Sequence, residues 1–281
     1  MYLTASIVTY HTDPDELGAI LGVLEDSPVD AVWVVDNSQC GYIEAIVGEF
    51  ARARYVPSEN RGYGAGHNIA IREATQSGAR YHLVLNSDLR FDGLQLNLLT
   101  DYLDANEAVA CVHPRIVGID GKLQYTVRML PTPFDLFGRR FLPSFLMKKR
   151  TASYELHFLD HDRPFNVAYH QGSFMMLRLE ALKTTGLFDE HFFMYAEDVD
   201  FTRRIHKHFL TMYYPALTIV HAHRKASYHS WKMLWIHSKN MAMYFNKWGW
   251  FIDSERRMIN RRLREQGDGT YRDNSERFPD R

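Results

Sequence analysis

The chain predicts an α/β fold: one mixed sheet flanked by helices, with a helical extension at the carboxyl end. Short apolar runs alternate with segments of helical period through about residue 113. Polar tripeptides rich in Asp, Asn and Ser end several of those runs, as strand ends that turn into loops do. From Tyr228 to about Leu263 the pattern becomes helical and rich in Trp, Met and Lys.

Leu3 to Thr9 reads as a buried strand. Asp13-Pro14-Asp15 then offers a cap with proline in the first helical turn, followed by Leu17, Ile20, Leu21 and Leu24 at helical spacing. Ala31 to Val35 is a second strand, Ile43 to Phe50 a helix, and Arg54 to Val56 a short third strand. A glycine-rich loop precedes a helix predicted from about Asn68 to Thr75. Tyr81 to Leu85 is a fourth strand, Leu94 to Leu103 a helix and Val109 to Val112 another strand. Strands alternating with helices imply parallel βαβ units. Regularity fades after Pro114. Ile119-Asp120-Gly121-Lys122 reads as a hairpin turn, and residues 129–165 as a variable insertion with some short helix. Gly172 to Leu177 and Leu217 to Val220 are later strands, with a helix at Val199 to His206 between them.

The 33 basic and 34 acidic residues nearly cancel, which points away from nucleic acid as a partner. Cys40 and Cys111 match no metal or redox spacing. The first residues have no basic region followed by an apolar one, so no signal peptide is expected. No run approaches the roughly 18 apolar residues of a membrane span. The expected location is therefore the cytoplasm, free or on the inner face of the cell membrane.

In an open sheet, ligands bind beyond the carboxyl ends of the strands. Thr9-Tyr10-His11, Asp36-Asn37-Ser38 and Asn86-Ser87-Asp88 all stand at such ends. Each alone reads as a turn; three on one rim read as a site. In Asn60-Arg61-Gly62-Tyr63-Gly64-Ala65-Gly66-His67-Asn68, three alternating glycines allow close backbone approach, and the helix that follows favours phosphate at its start. The spacing G-x-G-x-G after the third strand is not the dinucleotide fingerprint, which follows the first strand as G-x-G-x-x-G. Asn86, Ser87 and Asp88 offer hard oxygen ligands for Mg²⁺ or Mn²⁺. Glu197, Asp198 and Asp200 lie close together beside Phe192, Phe193, Met194 and Tyr195. Such crowding raises a carboxyl pKa toward that of a useful base, with Arg203 or Arg204 as an ion-pair partner, although acidic residues also cap helices. His221 and His223 follow the last strand and reach toward a metal or phosphate, with a structural role the even alternative for His223. His67, His170 and His237 read as structural.

The ordered series VVDNS, NRGYGAGHN, LNSDL, QGSFMMLR, GLFDEHFFMYAEDVDFTRR and VHAHRKAS resembles family 2 glycosyltransferases of the GT-A fold, a Rossmann-like nucleotide-binding sheet. Within that family it is most similar to bacterial O-antigen rhamnosyltransferases. The resemblance covers roughly residues 2–245. It implies a catalytic domain over 1–227, with a nucleotide-binding half (1–113) and an acceptor half (114–227), and a helical extension and tail over 228–281. It further implies that Asp36 contacts base or ribose with Thr9 and Asn37 nearby. Asn60, Gly66 and Asn68 shape the nucleotide and diphosphate pocket, together with Asn86 and Ser87. Asp88 binds the metal with His221 or His223. Gln171 to Phe174, with Gly172, floor the donor sugar, and Asp198 of the Glu197–Asp198 pair is the general base. Asn86 departs from the family's fuller DxD, and Gln171 from its usual glycine or alanine. The implied reaction is inverting transfer from a dTDP- or UDP-linked sugar, rhamnose first, to a lipid-linked glycan acceptor in cell-surface polysaccharide synthesis. A sugar-nucleotide pyrophosphorylase and a non-catalytic glycan-assembly protein are the competing readings.

Trp231, Leu234, Trp235, Ser238, Ala242, Phe245 and Trp248 recur at helical spacing in the extension. This face reads as packing against the catalytic domain or a second subunit in a homodimer. Docking on a membrane surface, aided by Arg256, Arg257, Arg261, Arg262 and Arg264, is the sharper alternative.

Overall fold

The computed structural model describes residues 1–221 and 231–267. In chain order the elements are β1 (Leu3–Thr9), α1 (Pro14–Glu25), β2 (Ala31–Asp36), α2 (Gly41–Val47), β3 (Ala53–Pro57), α3 (Tyr63–Gln76), β4 (Tyr81–Leu85), β5 (Leu89–Arg90), α4 (Leu96–Ala105) and β6 (Val109–Val117). There follow β7 (Val127–Arg128), α5 (Pro133–Phe141), α6 (Ser144–Tyr154), β8 (Phe165–Asn166), β9 (Tyr169–His170), β10 (Phe174–Arg178), α7 (Leu179–Thr185), α8 (Glu197–His206), β11 (Leu210–His221), α9 (Trp231–Trp248) and α10 (Ser254–Gly267).

The main sheet runs β3-β2-β1-β4-β10-β6-β11-β5, with β8 on β11, and β7 pairs with β9 in a separate ribbon. The first four strands are mutually parallel, as their βαβ spacing requires. β10 enters antiparallel between β4 and β6, and β11 is parallel to β6. The amino end of β10 therefore meets the carboxyl ends of β1, β2, β4 and β11 at one rim, which is how motifs far apart in sequence converge.

One face of the sheet packs on α1, α2 and α4 through residues such as Ile7, Leu21, Val34 and Leu99. The other packs on α3, α7 and α8 through Val35, Ile71, Leu182 and Phe201. A third cluster joins Val127, Leu130, Phe165 and Tyr213 to Met241, Tyr244, Phe245, Ile259 and Leu263 of the two last helices. The helical extension thus shares a core with the second half of the chain, and the 227/228 boundary falls outside the described residues.

Three local expectations are corrected. α3 begins at Tyr63, five residues before the predicted Asn68, so two of the three glycines lie inside its first turns. β6 and β11 are longer than predicted because they pair with each other. Their prolines, Pro114 and Pro215, fall at a register shift between Tyr213 and Thr218, where a missing N–H interrupts the ladder without ending it. The single C-terminal helical pattern is two helices. Gly249 sits at φ +102°, and a Cβ there would lie 2.5 Å from the Ile252 carbonyl, so the chain turns at that glycine.

Candidate active site

At the nucleotide end of the rim, Asp36 is fully buried. Its Oδ1 accepts from the Ser38 amide (2.9 Å), the Ser38 hydroxyl and Thr9 Oγ1 (3.2 Å). Its Oδ2 accepts from the Cys40 amide (2.8 Å) and the Tyr55 hydroxyl (3.2 Å). Burial alone would push this carboxyl up, but the hydrogen bonds from Ser38, Cys40 and Thr9 hold it below its ordinary value. Asp36 and Thr9 thus fix the β2–α2 loop, and the carboxylate is saturated there. The open acceptor beside it is Asn37 Oδ1, buried with no hydrogen-bond partner, while Asn37 Nδ2 reaches Asn60 Oδ1 at 3.5 Å. A buried carbonyl without a partner is costly unless something completes it.

The glycine segment builds structure more than it lines a loop. Gly62 adopts φ +109°, and a Cβ on it would lie 2.3 Å from the Phe193 carbonyl, which the Tyr63 amide also engages at 3.0 Å. Gly64 lets α3 approach Phe188, and Gly66 lets it approach Val8 of β1. Gly66 therefore serves helix–sheet packing and not the pocket wall expected of it. Asn68 is likewise occupied elsewhere. Its Nδ2 donates to the Phe188 carbonyl (2.9 Å) and Glu190 Oε1 (3.0 Å), and its Oδ1 accepts from the Phe188 amide (3.0 Å). It clamps the segment ahead of α8 and has no amide group left for a nucleotide.

At the centre of the rim, the Tyr63 hydroxyl lies 2.7 Å from the Gly172 carbonyl and 3.0 Å from Asn86 Oδ1. The Asn86 amide donates to the Ser173 carbonyl (2.9 Å), and Ser173 Oγ is buried without a partner. Ser87 turns away and donates to Glu16 of α1. β5 pairs with the end of β11, His221 opposite Leu89, and this register brings Asp88 Oδ2 to 3.0 Å from His221 Nε2. His221 is 3% and Asp88 20% exposed, so the pair opens to solvent through the carboxylate. Among the described residues no group of three His, Cys, Asp or Glu is gathered for a metal. His223 lies outside the described residues.

Glu197 and Asp198 open α8 and are both buried. Asp198 Oδ2 accepts from the Gly172 amide (3.2 Å), and its Oδ1 from the Val199 amide (2.7 Å). Burial raises the Asp198 pKa above the usual carboxylate range, while these amides and the nearby Arg128 guanidinium counteract it. Glu197 is raised by burial and then by the charge on Asp198. Two carboxyls this close do not ionise together easily. Glu197 is raised further, to about 8, than Asp198, to about 6, because the charge on Asp198 adds to its burial while Arg128 draws Asp198 down.

One of the two expected arginine partners holds the acidic cluster and the other does not. Arg204 pairs with Asp200 (2.9 Å), whereas Arg203 pairs with Asp253 (2.8 Å) and Glu255 (2.7 Å), so neither is ion-paired to Asp198. His67 and His170 are buried and structural, as expected, and His237 stands against the Tyr195 ring at 5.2 Å.

The profile of glycosyl transferase family 2 matches residues 6–186, well over half of the chain. The chain belongs to this family. It is a glycosyltransferase of the GT-A fold. The chain is 26% identical over 228 residues to the N-acetylglucosaminyl-diphospho-decaprenol L-rhamnosyltransferase of Mycobacterium tuberculosis, covering 76% of this chain and 74% of that one. It is 22% identical over 265 residues to rhamnosyltransferase WbbL of Escherichia coli, covering 91% and 92%. The fold is that of the mannosyltransferase PcManGT from Pyrobaculum calidifontis, solved with GDP-Man and Mn²⁺, at TM-score 0.58 and 17% identity over 87% of this chain and 63% of that one. Family membership removes the pyrophosphorylase reading.

Against this family 2 background, two side chains stand out that sequence reasoning passed over. Tyr63 ties the glycine segment to Asn86 and Gly172. Its only sequence signal is its place inside the glycine motif. Arg128 donates to the Tyr125 carbonyl at 3.1 Å and lies over the Tyr169 ring, on the β7–β9 ribbon. It was the one cation in an apolar stretch, but its closeness to Asp198 depends on pairing across forty residues.

Proposed function

We propose that this protein transfers rhamnose, with inversion, from dTDP-rhamnose to a hydroxyl of a lipid-linked glycan. The observation that carries the reading is the pairing, on one rim, of the Asp88–His221 contact with the buried Glu197–Asp198 pair, joined by Gly172 and Tyr63. The first pair fits the diphosphate end of a sugar donor, and the second fits the acceptor hydroxyl.

Asp88 and His221 supply one carboxylate oxygen and one ring nitrogen at 3.0 Å separation, with Asn86 alongside. This donor set suits a Mg²⁺ or Mn²⁺ ion that completes its shell on substrate diphosphate. Bound there, such an ion would neutralise charge on the departing nucleoside diphosphate. The protein's own residues do the rest. Asn37 and Asn60 hold the nucleoside end. Gly172 and Ser173 floor the sugar. Asp198 takes the proton from the acceptor hydroxyl as that oxygen bonds to the anomeric carbon and the bond to diphosphate breaks. Glu197, protonated, keeps the charge on Asp198 alone.

Support for rhamnose and a lipid diphosphate acceptor comes from the mycobacterial relative, an N-acetylglucosaminyl-diphospho-decaprenol L-rhamnosyltransferase. A UDP-hexose or UDP-N-acetylhexosamine is the second donor reading. Thermal melting against a panel of nucleotide sugars, with and without Mn²⁺, separates the two. The expected result is the largest rise with dTDP-rhamnose plus Mn²⁺, since stabilisation follows concentration over Kd. A larger rise with a UDP-sugar replaces the donor assignment.

A further inference from the structure

The insertion between β7 and β8 has features that the catalytic rim does not use. α5 and α6 pack against each other and meet at Leu142-Pro143, so they form a helical hairpin. Its root is rigid. Thr132 and Asp135 form a reciprocal capping box, Arg150 reaches Asp135 at 2.6 Å and Thr132 at 2.9 Å, and Met147 and Tyr154 are buried.

Its tip is open and apolar. Leu142, Phe145 and Leu146 are 40%, 76% and 61% exposed. Residues 136–154 contain five Lys or Arg and no Asp or Glu, and Lys148 and Lys149 of this set are exposed on α6. The α9–α10 turn presents a second apolar tip, Phe251 and Ile252, at 77% and 84% exposure. Arg256 ties that turn to the hairpin root, donating to the carbonyls of Gly249, Trp250 and Pro131.

An exposed apolar patch marks a docking surface. Bulky apolar side chains beside the exposed Lys148 and Lys149, with the one acid of α5, Asp135, already paired to Arg150, match the boundary between acyl chains and anionic headgroups. We propose that the tip of the α5–α6 hairpin docks this enzyme on an anionic phospholipid bilayer. The inference deepens the lipid-linked acceptor reading and relies on it for purpose alone, since bilayer binding is measured without donor or acceptor. Of the five arginines expected to attract lipid from the C-terminal helix, Arg256 is buried and engaged with these carbonyls, while Arg257, Arg261 and Arg264 are exposed.

Flotation of the full chain with phosphatidylglycerol-containing vesicles, against pure phosphatidylcholine vesicles, tests this directly. The expected result is flotation with the anionic vesicles only. Each lysine near such a surface contributes enough for several-fold in affinity, so Lys148→Glu with Lys149→Glu should lower binding by about tenfold or more. Phe145→Ser with Leu146→Ser should abolish it, with the melting temperature and its rise on adding nucleotide sugar unchanged. Trp231→Ser with Trp235→Ser should bind like the parent. Failure of the parent to float, or loss only in the Trp231/Trp235 variant, overturns the proposal. So does a parent dimer that becomes monomeric through Phe145→Ser and Leu146→Ser without vesicles, which would make the tip a protein interface. A protein that floats but transfers no sugar would leave the docking element standing and the catalytic reading failed.

Discussion

Asp198 and Glu197 are neighbours with the same chemistry and unequal pKa shifts, Glu197 being raised further than Asp198. Asp198 is faced by Glu197 from its own helix, the Gly172 amide ahead of β10, Tyr169 and Arg128 from the β7–β9 ribbon, and Tyr63 from α3. Among these Arg128 is the cation, and it favours the ionised base. Arg128→Gln should therefore raise the base pKa and move the acid limb of the kcat/KM profile to higher pH, with Arg128→Lys restoring much of it. A profile lowered uniformly at all pH values would make Arg128 a structural residue only. At the other pair, Asp88→Ala should fold normally but lose the extra melting-temperature rise that Mn²⁺ gives with donor. A retained Mn²⁺ increment would remove Asp88 from the metal. The polar residues at strand ends were legible because apolar runs stop where a strand leaves the core. That Asp36 and Asn68 are already saturated was not legible, because Asn68's partners lie some 120 residues away.

Among elements, α8 carries Glu197 and Asp198 and is held from behind by the C-terminal helices. Arg203, 1% exposed, sits against Asp253, Glu255 and the Tyr244 hydroxyl, with its guanidinium 4.0 Å from the Trp248 ring centroid. Removing one partner of a buried pair leaves an uncompensated charge, typically at about 3–5 kcal/mol. Asp253→Ala should lower stability by that order in urea denaturation; a loss below about 1 kcal/mol would mean that Glu255 alone suffices. The β1–α1–β2 portion and the fourth strand were readable because local period and caps agree. The breaks at Gly249 and at Pro114 with Pro215 were not, because a glycine inside a helical period or a proline inside an apolar run does not say whether an element bends or ends. Partner strands decided it.

At the scale of the molecule, five of the buried histidines among the described residues have pKa values held low by burial first. Burial lowers His82 and His206 to about 3 and His170 to about 4, and His67 and His113 are also lowered by burial first. A depressed histidine contributes stability above its unfolded value of about 6.5 and loses it as pH falls toward the folded value. By pH 5 His82, His170 and His206 cost about 2 kcal/mol apiece, so together they approach a domain's whole margin. The raised Glu197–Asp198 pair runs the other way, favouring the fold below its unfolded values, but it opposes five groups. Urea midpoints should fall markedly from pH 7.5 to pH 5, and equal midpoints would contradict these lowered values. The last helices are part of this same body: Met241, Tyr244, Phe245, Ile259 and Leu263 are core residues, so truncation near Tyr228 would remove a core wall, and point substitutions are the proper probe of docking.

The central claim is that Asp198 is the base of a sugar transfer powered by departure of a nucleoside diphosphate. Its most direct test is nucleoside diphosphate release by the parent and by Asp198→Asn, with the donor from the melting panel and a lipid-linked glycan extract as acceptor. The expected result is a fall of about 10²–10⁴-fold in the variant, with donor-induced melting shifts unchanged. Release within about twofold of the parent would contradict it.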